Sequence, residues 1–387
     1  MKVAHFITSL KVGGAEVGLY NLLKHLKDGK QEHFGIYFYD GPIVSKIESL
    51  GIKTYKINGL FSNYDPLAWF RFCKLIKKIS PDIIHSSLWS ANIMGRLVSK
   101  IFNIPIICDI HGDVFFQGKF RNLLEKMTIL IPKNIVVVSK SVKKALEDNI
   151  ISKIKNPKKR ELLKSKISLI QNGVDVDFLI NKQKNEQTLR QDLGFCDDDF
   201  IVGSVGRLEE IKSYDVLIKA FSLFLSEITS NKENFRKPKL CLVGDGSQKN
   251  KLVRLANDLG INSHVKFVGW QSDTYKFYSI FDCFVLSSKS EGLSIALLEA
   301  LSFGLPLIST HLSADHDVIV DGKNGFLTPV EDEESLCLAM KKLYFDSKMV
   351  AEMKNANINL ARNNFNIRKI ANSYSDLYAK TISVCNK

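Results

Sequence analysis

SSKSEGLSIALLEALSFGLPLIST, residues 287–310, is the stretch whose reading decides the fold. It closes the apolar run DCFVLSS, which is short and rich in β-branched and aromatic residues, as a buried strand is. That strand ends at Ser287-Ser288, and Glu291 then lies in a loop. Gly292-Leu293-Ser294 lead into a helix that carries Glu299 one to two turns in, and Gly304-Leu305-Pro306 precede the next strand, LPLIST. Strand, helix and strand in such close succession are the repeating unit of a parallel sheet. Ligands of open parallel sheets sit outside the carboxyl ends of the strands, so the loop at 288–294 is a candidate binding loop. Its amides and the helix N-terminus favour a phosphate. A carboxylate on the helix can accept hydrogen bonds from ribose hydroxyls, and one in the loop can hold those of a sugar. Two glutamates eight apart recur by chance in many helices. Their placement between a strand end and the Gly-Leu-Pro turn gives the pattern its weight.

Working outward, the same alternation recurs. FIVGSVGRL, a helix from about Ser213, KLCLVGDG, a helix, VKFVGW and a further helix precede DCFVLSS. Upstream, KVAHFI, HFGIYFYD, IKTYKI, DIIHSS, PIICDI and NIVVVS read as buried strands. Amphipathic helices are expected between them at Ala15–Lys27, Pro66–Ile79, Ala91–Ile101 and Phe120–Leu130. The rhythm breaks at 151–166, which is polar and basic, and again at Asn181–Asp199. Two Rossmann-like α/β domains follow, at 1–175 and 200–365, with a linker at 176–199 and a C-terminal helix at 366–387.

Composition sets the outer limits. The chain has 387 residues, 45% of them hydrophobic and 25% charged, which is the balance of a globular protein. No segment approaches twenty uninterrupted apolar residues, and MKVAHFITSLKVGG reads as a first strand and loop rather than a secretory signal. The chain is therefore expected in the cytoplasm, with peripheral attachment to the inner face of the cytoplasmic membrane as a further expectation. Seven cysteines are scattered without a CxxC pair, so reduced thiols are expected and a metal site is not. A net charge of +13 attracts polyanions, namely nucleic acid, anionic headgroups or phosphorylated substrates. The charge gathers in Lys119–Lys133 and in SKIKNPKKRELLKSK, residues 152–166, where a solvated lysine-rich surface is an equally good account. No nucleic-acid-binding motif accompanies it, so nucleic acid is not an expected partner. The stretch KFRNLLEKMTILIPK mixes Leu, Met and Ile with cations, as an interfacial helix would; a core-packed helix with a solvated face fits as well.

Other strand ends carry chemistry too. Gly13 and Gly14 follow the first strand and precede a helix, where backbone amides can approach a phosphate; a simple tight turn explains them equally. Gly203, Gly206 and Arg207 close another strand, with Lys212 five residues on. An arginine fork and a mobile lysine charge beside a glycine turn suit a diphosphate. Gly244-Asp245-Gly246 reads as a structural turn before a helix.

These motifs, in order, resemble the retaining glycosyltransferases of the GT-B architecture, in the large family four grouping of bacterial polysaccharide and glycolipid enzymes. The resemblance runs through GGAE at 13–16, VVVSKSV at 136–142, QNGVD at 171–175 and GSVGRLEEIKSYDVLIKAF at 203–221. It continues through LVGDG at 242–246, VKFVGW at 265–270, EGLSIALLEA at 291–300 and NGFLTP at 324–329. It implies two Rossmann-like domains facing across a cleft, with the C-terminal helix crossing back to the N-terminal domain. It also implies that Gly14 helps cradle the donor diphosphate, that Arg207 and Lys212 bind it and stabilise the departing nucleotide, and that Glu299 holds the ribose. Glu291 and the amides after it would contact donor sugar and phosphate, and His111, at a strand end in ICDIHGD, would face the donor sugar. The expected reaction moves a sugar from a nucleoside-diphosphate donor, UDP-linked, to a glycan or lipid-linked acceptor with retention and without a metal or other cofactor. A non-catalytic subunit that binds sugar nucleotides is the alternative. Two departures stand out. Ser313-Ala314 and Asp317 replace the family's usual Gly-Gly and Glu, and Ser213-Tyr214 follow the lysine where glycine is usual.

Overall fold

The computed structural model describes residues 1–26, 31–59, 65–112, 118–181, 186–229, 236–311 and 317–385. The chain divides into two compact units, Met1–Gly173 with Ile367–Lys387 and Val174–Asn366.

The first unit runs β1 (Lys2–Ser9), α1 (Gly14–His25), β2 (Glu32–Tyr39), α2 (Ile43–Glu48), β3 (Lys53–Lys56), α3 (Pro66–Ile79) and β4 (Ile83–Ser87). It continues through α4 (Trp89–Phe102), β5 (Ile106–Ile110), α5 (Lys119–Thr128), β6 (Asn134–Val137), α6 (Lys140–Leu146), α7 (Pro157–Ser165) and β7 (Ile167–Leu169). The seven strands form one parallel sheet in the order β3-β2-β1-β4-β5-β6-β7. The period of two makes each central strand feed both faces. In β1, Ala4 and Phe6 enter a core with Phe38, Phe72 and Ile76, while Val3 and Ile7 enter cores on the opposite face.

Local chemistry explains the helix starts. Asp65 caps α3 by accepting from the Leu67 amide at 2.8 Å, with Pro66 in the first turn. In the basic stretch at 151–166, Asn156 caps α7 in the same way, accepting from the Lys159 amide at 3.2 Å. Only Leu163 of that helix is buried, which is why no apolar period marks it in the sequence.

The second unit comprises α8 (Val176–Asn181), α9 (Glu186–Asp192), β8 (Asp199–Val205), α10 (Tyr214–Thr229), β9 (Lys237–Val243), α11 (Lys249–Asp258) and β10 (Val265–Gly269). Then follow α12 (Tyr275–Tyr278), β11 (Cys283–Leu286), α13 (Ile295–Ser302), β12 (Leu307–Thr310), β13 (Gly325–Thr328), α14 (Glu333–Phe345) and α15 (Ser347–Asn364). Its six strands are again parallel, in the order β10-β9-β8-β11-β12-β13. Residues 176–199, which read as a linker, carry α8 and α9 and belong to this unit. Val176 and Leu179 are buried there, and Arg190 donates to the carbonyls of Asp199 at 3.2 Å and Ile280 at 3.0 Å.

The last helix, α16 (Ile367–Cys385), returns to the first unit. Its Ala371, Tyr374 and Tyr378 share a core with Val3, Leu22, Ile83, Ile107 and Val136. No described helix is long and apolar enough to cross a membrane.

Candidate active site

In the second unit, β8 lies between β9 and β11, so the strand order reverses between β8 and β11. Open parallel sheets bind their ligands outside the carboxyl ends of the strands at such a reversal. Gly206, Arg207 and Lys212 follow β8, and residues 287–294 follow β11.

The glycines at these ends leave no room for a Cβ. Gly244 has φ +144, and a Cβ there would lie 1.9 Å from the Gly206 carbonyl oxygen. A Cβ on Gly206 would lie 2.8 Å from the Tyr214 hydroxyl. The two turns are stitched by the Gly206 amide donating to the Val243 carbonyl at 3.0 Å and the Leu208 amide to the Asp245 carbonyl at 3.0 Å. Asp245 is absorbed by the turn: it accepts from the Gly246 amide at 2.8 Å and pairs with Lys249 at 2.9 Å.

Lys212 ends a single 3-10 turn, and Ser213 after it adopts the left-handed conformation with φ 47. Glycine takes that conformation at no steric cost, so serine here accepts backbone strain of about 1–2 kcal/mol. The Ser213 hydroxyl is buried and has no hydrogen-bond partner among the described residues. This turn aims the Lys212 ammonium at Glu291, with which it forms an ion pair. The two residues are 79 positions apart in sequence. Ser288 Oγ donates to the same carboxylate oxygen at 2.8 Å. The two loops are tied by Ser287 Oγ donating to the Lys212 carbonyl at 2.9 Å and by the Lys289 amide donating to the Ile211 carbonyl at 2.8 Å. Arg207 is exposed at the end of β8.

Beyond Glu291, the buried Gly292-Leu293-Ser294 turn delivers the chain into α13, with Ser294 as N-cap, its side chain accepting from the Leu297 amide at 3.4 Å. The first amides of a helix have no intrahelical acceptor and carry partial positive charge. Glu299, half-buried on α13, accepts from the Tyr278 hydroxyl at 2.7 Å. Burial, and then the Glu299 carboxylate, push the Tyr278 phenol well above its ordinary range, so it remains a donor. Lys212 and Glu291 are thus brought together where the chain leads into α13, at a strand end of the kind where parallel sheets take their ligands, with Glu299 further along the helix. Asp317 is half-buried; Ser313 and Ala314 lie outside the described residues.

The first unit holds its own polar cluster. Gly13 is the N-cap of α1 in extended backbone, φ −166, open to any residue. A Cβ there would meet only the Glu16 carboxylate, at 2.4 Å, and Gly14 begins the helix. His111 follows β5, its Nε2 3.7 Å from Asp109 Oδ2. The same oxygen lies 2.8 Å from His85 Nε2 and accepts from the Tyr374 hydroxyl of α16 at 3.0 Å. Burial by itself would raise the Asp109 carboxyl; His85 and His111 outweigh it and hold the group well below the usual carboxylate range. Tyr378 bonds His85 Nδ1 at 2.7 Å, and His5 Nε2 lies 3.0 Å from His33 Nδ1. The His111 Nδ1 atom is buried without a hydrogen-bond partner among the described residues.

Sequence reasoning missed Asp109, His85, His5, His33 and the two tyrosines, and in the second unit Tyr278. A signal was present: His5, His85 and Asp109 are polar residues inside otherwise apolar strands, and burying them requires partners. Among the described residues, Cys196, Asp198 and Asp199 are grouped closely enough to hold a metal, in a turn whose cysteine and first aspartate are exposed. Asp199 already accepts from the Cys196 amide at 2.8 Å.

Two family models match. The one described as glycosyl transferases group 1 covers residues 185–360, and the one described as glycosyltransferase family 4 covers residues 12–178. EpsD of Bacillus subtilis, provisionally named a glycosyltransferase, is 30% identical over 306 residues, covering 76% of each chain. The UDP-Gal:alpha-D-GlcNAc-diphosphoundecaprenol alpha-1,3-galactosyltransferase of Escherichia coli is 28% identical over 315 residues, 79% of this chain and 77% of its own. Among solved structures, HepE of Anabaena in complex with UDP-glucose superposes with TM-score 0.82 at 21% identity, over 99% of this chain and 100% of its own. That likeness concerns the fold, which is GT-B.

Proposed function

The chain belongs to the group 1 glycosyltransferases, and from that premise we propose that it moves a sugar from a UDP-linked donor to a polyprenyl-diphosphate-linked glycan, with retention of configuration. The observation that carries the reading is the joining of Lys212 and Glu291, where the chain leads into α13, at the point where the strand order reverses. In the proposed reaction the bond from the anomeric carbon to the diphosphate oxygen breaks and the acceptor hydroxyl oxygen bonds that carbon. The acceptor proton passes to the leaving phosphate. Negative charge grows on the diphosphate as the bond breaks. Preorganised cations and amides stabilise such charge without reorganising at the moment of reaction. That role falls to Arg207, Lys212 and the amides of 292–294. Glu299, oriented by Tyr278, takes the ribose hydroxyls, and Glu291 holds Lys212 in place until the donor arrives. His111, beside the ionised Asp109, is assigned to the transferred sugar.

The donor assignment draws support from the Anabaena complex with UDP-glucose and from the Escherichia coli relative, whose name specifies a UDP-sugar and an undecaprenyl-diphosphate acceptor. The test is nucleotide release from a panel of UDP-, GDP- and ADP-sugars in EDTA, with and without polyprenyl-diphosphate-linked acceptors. Release from a UDP-sugar, stimulated by acceptor, is the expected result. Release from GDP- or ADP-sugars alone would overturn the donor, and binding of UDP without turnover on any acceptor would overturn the catalytic reading.

A further inference from the structure

The face of the first sheet that α16 covers carries a polar line across three strands. In the parallel register His5 of β1 lies beside His85 of β4, and His85 beside Ile107 of β5. Asp109, two residues beyond Ile107, therefore shares their face. Asp109, His85, Tyr374 and Tyr378 are all at most 5% exposed. A carboxylate buried so deeply needs a cation or a set of donors. Among the described residues no lysine or arginine pairs with Asp109. Its side-chain partners are His85, His111 and the Tyr374 hydroxyl, and all three face the one oxygen Oδ2.

The chemistry of these partners fixes where the protons lie. Burial by itself would raise the Asp109 carboxyl, but the two histidines outweigh it and keep the group ionised at neutral pH. An ionised carboxylate only accepts, so the ring nitrogen that faces it carries a proton. In both histidines that nitrogen is Nε2, at 2.8 Å in His85 and 3.7 Å in His111. The far side of His85 agrees. Burial, and then Asp109, push the Tyr378 phenol well above its ordinary range, so it donates to a bare Nδ1 at 2.7 Å. In His111 a proton on Nδ1 would meet no acceptor among the described residues. A separation of 3.7 Å is long for a hydrogen bond, as such contacts often are before substrate tightens them. The His111 side chain keeps 14% of its surface exposed, so the ring that Asp109 holds from within can still be reached by a ligand.

We propose that Asp109 is a positioning residue for the reaction: it holds His111 in one orientation and one tautomer, with the Nε2 proton turned toward Oδ2, while His85 and Tyr374 of the last helix hold Asp109 itself. The proposal rests on the assignment of His111 to the transferred sugar.

The test joins NMR of the full chain, with histidine labelled in its ring nitrogens, to the rate of nucleotide release from the donor identified by the panel. The His111 signals, recognised by their loss in His111→Gln, should show a proton on Nε2 and a bare Nδ1 at the pH of the assay. Asp109→Leu keeps the branched shape and removes the acceptor, so the ring should populate both tautomers. Its kcat should fall about 10- to 100-fold with KM little changed, as when the carboxylate behind a metal-bound histidine is removed. Asp109→Asn, whose amide oxygen can stand where Oδ2 does, should keep the tautomer and lose less turnover than Asp109→Leu. Adding Asp109→Leu to His111→Gln should leave kcat within about twofold of His111→Gln alone, because the two act as a unit. A wild-type His111 ring in any other protonation form would overturn the proposal, even if Asp109→Leu failed to fold. So would an unchanged tautomer in folded Asp109→Leu, or an Asp109→Asn chain that keeps the tautomer yet turns over as slowly as Asp109→Leu. Full turnover by folded His111→Gln is a separate failure. It would remove His111 from the sugar and overturn the assignment on which the proposal rests, whereas the tautomer is read without turnover and judges Asp109 alone.

Discussion

Lys212→Met separates the two roles the structure gives this residue. The Lys212 and Glu291 side chains are 18% and 14% exposed, so the pair is neither a surface bridge nor a fully buried one. At contact distance and an effective dielectric near 20 the gross attraction is about 5 kcal/mol, most of it offset by desolvation. Methionine leaves the Glu291 carboxylate with the Ser288 hydroxyl at 2.8 Å as its remaining close donor among the contacts described above. The net loss of stability should be about 1–2 kcal/mol, which for a unit of this size lowers the melting temperature by roughly 2–8 °C. Catalysis should suffer more. Removing one preorganised donor from a site of developing charge typically costs about 2.7–4 kcal/mol, or a factor of about 100 to 1000 in turnover. The assay is the initial rate of nucleotide release across donor concentrations, at a temperature where both proteins are folded by circular dichroism. If Lys212 acts on the leaving diphosphate, kcat falls by that factor and KM moves much less. Glu291→Gln, which keeps the lysine, should cost less in kcat than Lys212→Met, and the double variant should resemble Lys212→Met because the two act as a unit. A folded Lys212→Met protein with kcat within fivefold of wild type would refute the reasoning and reduce the pair to a structural tie between two loops.

Gly244→Ala places a Cβ 1.9 Å from the Gly206 carbonyl oxygen on a backbone with φ +144, and should destabilise by about 3–5 kcal/mol. Gly206→Ala, whose Cβ meets the end of the Tyr214 side chain at 2.8 Å, should cost about 1–2 kcal/mol; a reversed order in thermal melting would contradict the close approach of the two turns. Burial, with His33 and His85 beside it, holds His5 well below the ordinary histidine range. The unfolded chain therefore binds the proton more readily, so His5 contributes stability that is complete above about pH 6.5 and is lost as pH falls toward the folded value. Asp109, held low, adds a separate loss only below about pH 4. Urea unfolding at pH 7.5 and pH 5 should show a drop for the wild-type chain that is smaller in His5→Asn, and an equal drop in both would remove His5 from the account.

The strands and most helices were legible because the signals that specify them are local. KVAHFI, DIIHSS and PIICDI name their strands through short β-branched runs, and Pro66–Ile79 names its helix through an apolar period behind an Asp-Pro start. Helix α7 was not legible, since it buries one leucine and is held by a cap rather than by a stripe. Glu291 and Glu299 were legible as candidates through their place after a strand. Their partners were not. The ion pair to Lys212 spans 79 residues, and the hydrogen bond from Tyr374 to Asp109 spans 265.

By itself the sequence determined that the chain folds as two parallel-sheet units, that the second opens on a glycine turn with two cations, and that a loop with two carboxylates follows a later strand. It could do so because turn chemistry and periodicity depend on neighbours along the chain. Only the tertiary structure decided which cation meets which carboxylate, and that buried histidines, an aspartate and two tyrosines of the last helix form one network. Those outcomes depend on burial, and burial is set by the sheet order and by what packs on each face, neither of which is written at the residues themselves.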